Sequence, residues 1–149
     1  METDYLVLGS GLAGLYFALQ ACRHGRVLIV SKRSLTEANT QYAQGGVAGV
    51  LGPDDSPDSH VEDTLRVGDG LCHRDVVEMC VAEGPGHIVR LADELGVAFD
   101  RDSSGGFALG REGGHSARRI VHARDTTGAA IHTALLARAA EMGDVSGCA

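Results

Sequence analysis

Six residues near the amino terminus, Gly9-Ser10-Gly11-Leu12-Ala13-Gly14, have the spacing G-x-G-x-x-G. Three glycines in that pattern suit a dinucleotide. Gly9 permits a tight turn, Gly11 lets the backbone approach a pyrophosphate, and Gly14 lets a helix pack closely on a strand. A helix beginning there offers N–H groups and a partial positive charge to phosphate. The pattern carries weight only between a strand and a helix. The fingerprint also expects an acid at the end of the second strand, to hold a ribose. That place reads Ser31-Lys32. A lysine cannot accept a hydrogen bond from a hydroxyl. Lys32 then meets a 2′-phosphate, belongs to a flavoprotein that holds the adenosine end differently, or is simply solvated.

A second stretch, NTQYAQGG at residues 39–46, is too polar for a strand and too glycine-rich for a helix. It is either a surface loop or a strip of backbone laid against a ligand, since glycine lets the chain lie flat on a ring. A third, REGGHS at residues 111–116, offers Glu112 and His115. A fourth, Asp125-Thr126-Thr127-Gly128, precedes a helix, where Thr127 either caps or touches a ligand. His60, His73, His87, His122 and His132 read as structural or exposed. None has the spacing with carboxylates that a metal site requires, so no metal is expected.

The elements that must position these groups follow from apolar patterning. DYLVLG at 4–9 is a buried strand, LAGLYFALQACR at 12–23 a buried helix ended by His24-Gly25, and RVLIVS at 26–31 a second strand. Strand, helix and strand make a right-handed βαβ unit. Residues 32–59 form a long irregular loop, and such loops are usually functional. SHVEDTLRV at 59–67 is a short helix with Ser59 and Glu62 spaced as a capping box. Residues 74–82 and 86–95 read as two helices split by Gly84-Pro85-Gly86. Residues 97–109 read as a hairpin turning at 103–106, and 118–123 as a strand. Residues 126–142 read as a helix capped by Thr126 or Thr127. The final stretch, GDVSGCA, has no assignable structure.

The chain has 149 residues and a formal net charge of -7, which argues for one domain and against a nucleic-acid surface. Its 21 glycines are about twice the usual share of roughly 7%, and they are aperiodic. Cys22, Cys72, Cys80 and Cys148 form no C-x-x-C pair and read as reduced thiols of a cytoplasmic protein. The start, METDYLVLG, lacks the basic region of a signal peptide. No apolar run approaches the roughly 18 residues of a membrane span.

Taken in order, GSGLAGL, VSK, NTQYAQGGVAGVL, DSHVEDTLRVGDGLC and REGGHSARRIVHARDTTG resemble the succinate dehydrogenase and fumarate reductase flavoprotein family, and within it the aspartate oxidase branch. The resemblance runs from Asp4 to about Met142. It implies an α/β fold: a Rossmann-like FAD-binding βαβ unit, incomplete here, followed by helices and a small hairpin. Residues 1–50 would hold the βαβ unit and flavin loop, and residues 51–149 the helical and hairpin region. The second strand of this family ends in Ser-Lys, which removes the 2′-phosphate reading.

The resemblance implies that FAD contacts Gly9, Ser10, Gly11, Leu12, Ala13, Gly14, Lys32 and the run Asn39, Thr40, Gln41, Tyr42, Ala43, Gln44, Gly45 and Gly46. Membrane-bound members carry a flavin-tethering histidine where this chain has Asn39, so its FAD would be non-covalent. Glu112 stands where the dicarboxylate enzymes are apolar. A carboxylate there suits the ammonium of L-aspartate and gives succinate nothing. The implied reaction takes L-aspartate to iminoaspartate, with oxygen or fumarate as the final acceptor. Its product enters NAD synthesis, with quinolinate synthase as a pathway partner. The alternatives are a soluble fumarate reductase-like flavoprotein and a non-catalytic FAD-binding module. The family's catalytic arginine has no counterpart among these residues, so no catalytic residue is assigned. The chain is expected to be an amino-terminal portion with an unpaired sheet edge exposing apolar surface.

Overall fold

The computed structural model describes residues 2–148. Strand β1 (Tyr5–Leu8), helix α1 (Leu12–Ala21) and strand β2 (Val27–Val30) form the expected βαβ unit, with the two strands parallel. A third strand, β6 (Val145–Cys148), pairs parallel with β2, giving the order β1-β2-β6. The terminal stretch left unassigned from sequence is therefore a strand. Only four residues long and lacking a clean alternation, it carries no local signal; β2 supplies its partner groups.

One face of this sheet carries Val7, Val27 and Ile29, all buried in the core with Leu15 and Leu19 of α1. The opposite face carries Leu6, 59% exposed, and Leu8, 79% exposed. Parallel sheets normally bury both faces. Among the described residues β1 ends the sheet and pairs only with β2, so the expected unpaired edge lies on β1, the strand that carries the exposed Leu6 and Leu8.

A second sheet has the order β3-β5-β4 and is antiparallel, from β3 (Val47–Ala48), β4 (Leu109–Gly110) and β5 (Ile120–Val121). The expected hairpin reduces to one bridge, Arg101 with Phe107. Its turn is organised by Asp102, whose carboxylate accepts from the N–H groups of Ser104 and Gly106.

Helix α2 (Pro57–Gly68) begins earlier than expected. Its cap is Ser56, whose hydroxyl accepts from the Ser59 N–H, and Pro57 occupies the first turn. Ser59 is thus inside the helix, which removes the capping-box reading. Helix α3 (Arg74–Asp93) runs unbroken through Pro85, where two helices were expected. Continuity keeps Val81, Ile88 and Leu91 in one buried stripe. Burying three such side chains at about 1.5–3 kcal/mol each offsets about 3 kcal/mol for proline and about 1 for each flanking glycine.

Helix α4 (Thr127–Glu141) follows Thr126, which makes no side-chain cap. The Thr127 hydroxyl instead accepts from the Ala123 N–H at 3.0 Å. Cys22, Cys72 and Cys80 are free thiols, and the Cys148 side chain lies outside the described residues. Among the described residues no helix is long and apolar enough to cross a membrane.

Candidate functional site

The glycine loop is built as its spacing requires. Gly9 has φ +103°, in the region that favours glycine. A Cβ on Gly14 would sit 2.2 Å from the Gly9 carbonyl oxygen, so any larger residue would push helix from strand. Helix α1 has no side-chain cap and no acid in its first turn, which suits an anion. Two contacts were not legible from sequence. The Leu12 N–H donates to Thr40 Oγ1 at 3.0 Å, so the flavin-loop candidate reaches back and takes one of the helix N–H groups. The buried Ser10 places its carbonyl 2.8 Å from Nε2 of His132 in α4.

Residues 39–46 begin as a single 3-10 turn, Asn39–Tyr42. This segment is clamped from two sides. Thr40 holds it to α1. From α4, the Gly128 N–H donates to the Ala43 carbonyl at 3.0 Å. A Cβ on Gly128 would lie 1.9 Å from the Thr40 carbonyl oxygen, so the glycine of the D-T-T-G motif exists for this close approach.

Residues 41–46 are exposed, as a backbone strip facing a ligand must be. The two glycines at its end differ. Gly45 is open apart from the Glu112 carboxylate, 3.3 Å from where its Cβ would be. Gly46 lies against β5, where a Cβ would meet Ile120 and the Val121 carbonyl at 2.3 and 2.4 Å. Beyond the end of β2, Lys32, Asn39 and Tyr42 line one depression.

The segment 111–116 is anchored by a buried ionic cluster. Arg119 is fully buried. Its guanidinium meets Asp55 through Nε at 2.8 Å and Nη2 at 2.7 Å, and Asp63 through Nη1 at 2.9 Å. The second Asp55 contact and the Asp63 contact count as ion pairs between side chains shielded from water. Asp63 also accepts from the Ser116 N–H at 2.6 Å and the Ser116 hydroxyl at 2.7 Å. The Ser116 N–H, then the Ser116 hydroxyl, then Arg66, whose Nη2 lies 2.6 Å from Asp63, and Arg119 hold the Asp63 carboxyl well below the usual carboxylate range.

The anchored loop presents Glu112, exposed, to an open groove of about 340 Å³ that also touches Gln44, Gly45, His122 and Arg124. His115 turns the other way. It stands edge-to-face with His60 at 6.1 Å, and the Nδ1 atoms of both are buried without a partner. Burial, then the Arg119 charge, lowers the His60 pKa. His122 pairs with Asp100 at 2.9 Å. Sequence reasoning named Glu112, which the structure places beside this groove, but did not single out Arg119, Asp55 and Asp63. Each lay in plain view, but nothing in the spacing links residues 56 or 64 apart.

A parallel βαβ unit with a glycine turn, an open helix N-terminus and an exposed backbone strip held beside them defines a dinucleotide-binding protein. The chain belongs to the FAD binding domain family, which matches residues 4–146. Its cofactor is FAD, and the glycine cradle and the exposed strip fit that group. The chain is 50% identical over 145 residues to an L-aspartate oxidase of Pseudomonas aeruginosa, covering 93% of this chain and 27% of the relative. It is 48% identical over 133 residues to a chloroplastic L-aspartate oxidase of Nicotiana tabacum, covering 89% of this chain and 20% of the relative. Among solved structures it superposes on E. coli quinol fumarate reductase FrdA with TM-score 0.91 and 29% identity, over 99% of this chain and 26% of that one. The chain therefore spans between 20% and 27% of the length of these three proteins.

Proposed function

We propose that these residues form the cofactor-holding part of an enzyme that oxidises L-aspartate to iminoaspartate. The observation that carries this reading is Glu112, held by a buried ionic cluster and facing a groove beside Gly45. Bound FAD supplies the two-electron acceptor for the hydrogen leaving C2 of the substrate. The chain's own part is to hold and orient. The glycine loop takes the pyrophosphate, Lys32 lies toward the adenosine end, and residues 39–46 lie along the flavin. Asn39 is an amide and forms no flavin tether, so the cofactor is non-covalent. The Glu112 carboxylate accepts from the substrate ammonium, a contact succinate cannot make. Oxygen or fumarate takes the electrons, the product feeds NAD synthesis through quinolinate synthase, and the protein works in the cytoplasm.

The likeness to fumarate reductase favours a second reading, a flavoprotein acting on dicarboxylates without an amine. One experiment separates the two. The FAD-loaded full-length enzyme that carries these residues is assayed for peroxide with L-aspartate and for succinate oxidation, alongside its Glu112→Gln variant. The aspartate reading expects KM for aspartate to rise about 10- to 100-fold in the variant, as loss of a charge-assisted hydrogen bond implies. Equal handling of aspartate by both proteins sinks the role of Glu112. Turnover of succinate alone supports the second reading, and turnover of neither supports a flavin-binding module without activity. In the same preparation, acid precipitation should release the flavin; flavin retained in the pellet contradicts the non-covalent site.

A further inference from the structure

His132 is 1% exposed in the middle of α4, among the apolar residues Ile131 and Leu135. A polar ring is costly there unless it is hydrogen-bonded. Its Nε2 lies 2.8 Å from the Ser10 carbonyl, 122 residues earlier in the chain. A carbonyl oxygen only accepts, so Nε2 carries the hydrogen and donates.

The consequence follows from the peptide unit. No peptide bond in the described residues is cis. In a planar trans peptide the C=O and the following N–H point in opposite directions. A Ser10 carbonyl tied inward to α4 therefore turns the Gly11 N–H outward. No acceptor among the described residues takes that N–H. The neighbouring Leu12 N–H is already held by Thr40. Gly9, with φ +103°, is tied to β2 by its N–H donating to the Val30 carbonyl at 2.8 Å, while the Ser10 carbonyl that follows is held by His132.

We propose that His132 is a positioning residue for the cofactor: by donating to the Ser10 carbonyl it aims the Gly11 N–H at a phosphate oxygen of the FAD pyrophosphate. This rests on the cofactor site and is independent of the aspartate reading. A leucine would pack at this position and leave the Ser10 carbonyl unpartnered. A glutamine carries an amide N–H at similar reach.

The test titrates the chain with FAD and, separately, with ADP, which has the pyrophosphate but no flavin. His132→Leu should weaken both ligands about tenfold or more, the usual consequence of orphaning one buried acceptor. His132→Gln should bind both within about threefold of the parent, a rescue that loss of packing alone would not give. Unchanged affinity in His132→Leu, an equal loss in His132→Gln, or a parent chain that binds neither ligand overturns the proposal. If His132→Leu does not fold, the parent decides the matter by nitrogen NMR of the ring. A proton on Nε2 supports the proposal, and the Nδ1–H tautomer overturns it. The Glu112 assay is unaffected by any of these outcomes.

Discussion

The two sheets hold their functional loops by opposite means. Around β1-β2-β6 the chain relies on missing side chains. Gly14 and Gly128 let α1 and α4 approach backbone at distances no Cβ allows, and Thr40 and His132 add single hydrogen bonds. Around β3-β5-β4 it relies on large charged side chains. Arg119 binds two carboxylates in the interior, and Asp63 alone gathers Ser116, Arg66 and Arg119. The difference matches what each loop would present under the proposed function. A dinucleotide is gripped by backbone N–H groups, which requires bare chain brought close. A small charged substrate requires a charged side chain on a loop, and that loop needs anchors of matching strength.

Removing Arg119 should separate the regions most sharply. Arg119→Met leaves Asp55 buried without a cation and Asp63 with Arg66 alone, which costs about 3–5 kcal/mol. Thermal or denaturant unfolding measures the loss. Hydrogen exchange should show residues 111–116 deprotected before residues 9–14. Equal deprotection of both segments would mean that the cluster supports the whole fold rather than one loop.

The reciprocal change is Gly128→Ala. Its Cβ would collide with the Thr40 carbonyl, so residues 39–43 must shift. The expected cost is about 1–3 kcal/mol from overpacking. FAD affinity should fall with it, while residues 111–116 keep their protection. Undiminished FAD binding would show that the clamp on residues 39–43 is not what shapes the cofactor site.

Acid should produce the smallest and most graded contrast. Asp63 and His60 both have folded pKa values below their unfolded ones, and both belong to the ionic region. Each therefore contributes stability that is present at higher pH and lost as pH falls. The His60 contribution declines below about pH 6.5 and that of Asp63 below about pH 3.9. Hydrogen exchange between pH 7 and pH 4 should first loosen residues 111–116. Earlier loosening of the glycine loop would reverse the comparison.

Much of the nucleotide half was legible because its rules are local. A turn needing positive φ, a helix needing a glycine at its closest approach, and two apolar runs each depend on neighbours within a few residues. The same locality misled elsewhere. Pro85 between two glycines looks like a break, yet the buried stripe of Val81, Ile88 and Leu91 carries α3 through it. Ser59 and Glu62 have capping-box spacing, yet Ser56 followed by Pro57 starts the helix. The strand at 145–148 had no local signature, because its identity comes from pairing with β2.

The sequence by itself determined the βαβ unit, the glycine turn at residues 9–14 and the family, since sterics and short-range periodicity act along the chain. Only the tertiary structure decided that Glu112 stands beside Gly45, that Arg119 joins Asp55 and Asp63, and that His132 holds the Ser10 carbonyl. Those partners lie far apart in sequence. Buried charges and buried imidazoles persist only where a complementary group is brought to them, and the packing of whole elements decides which group that is.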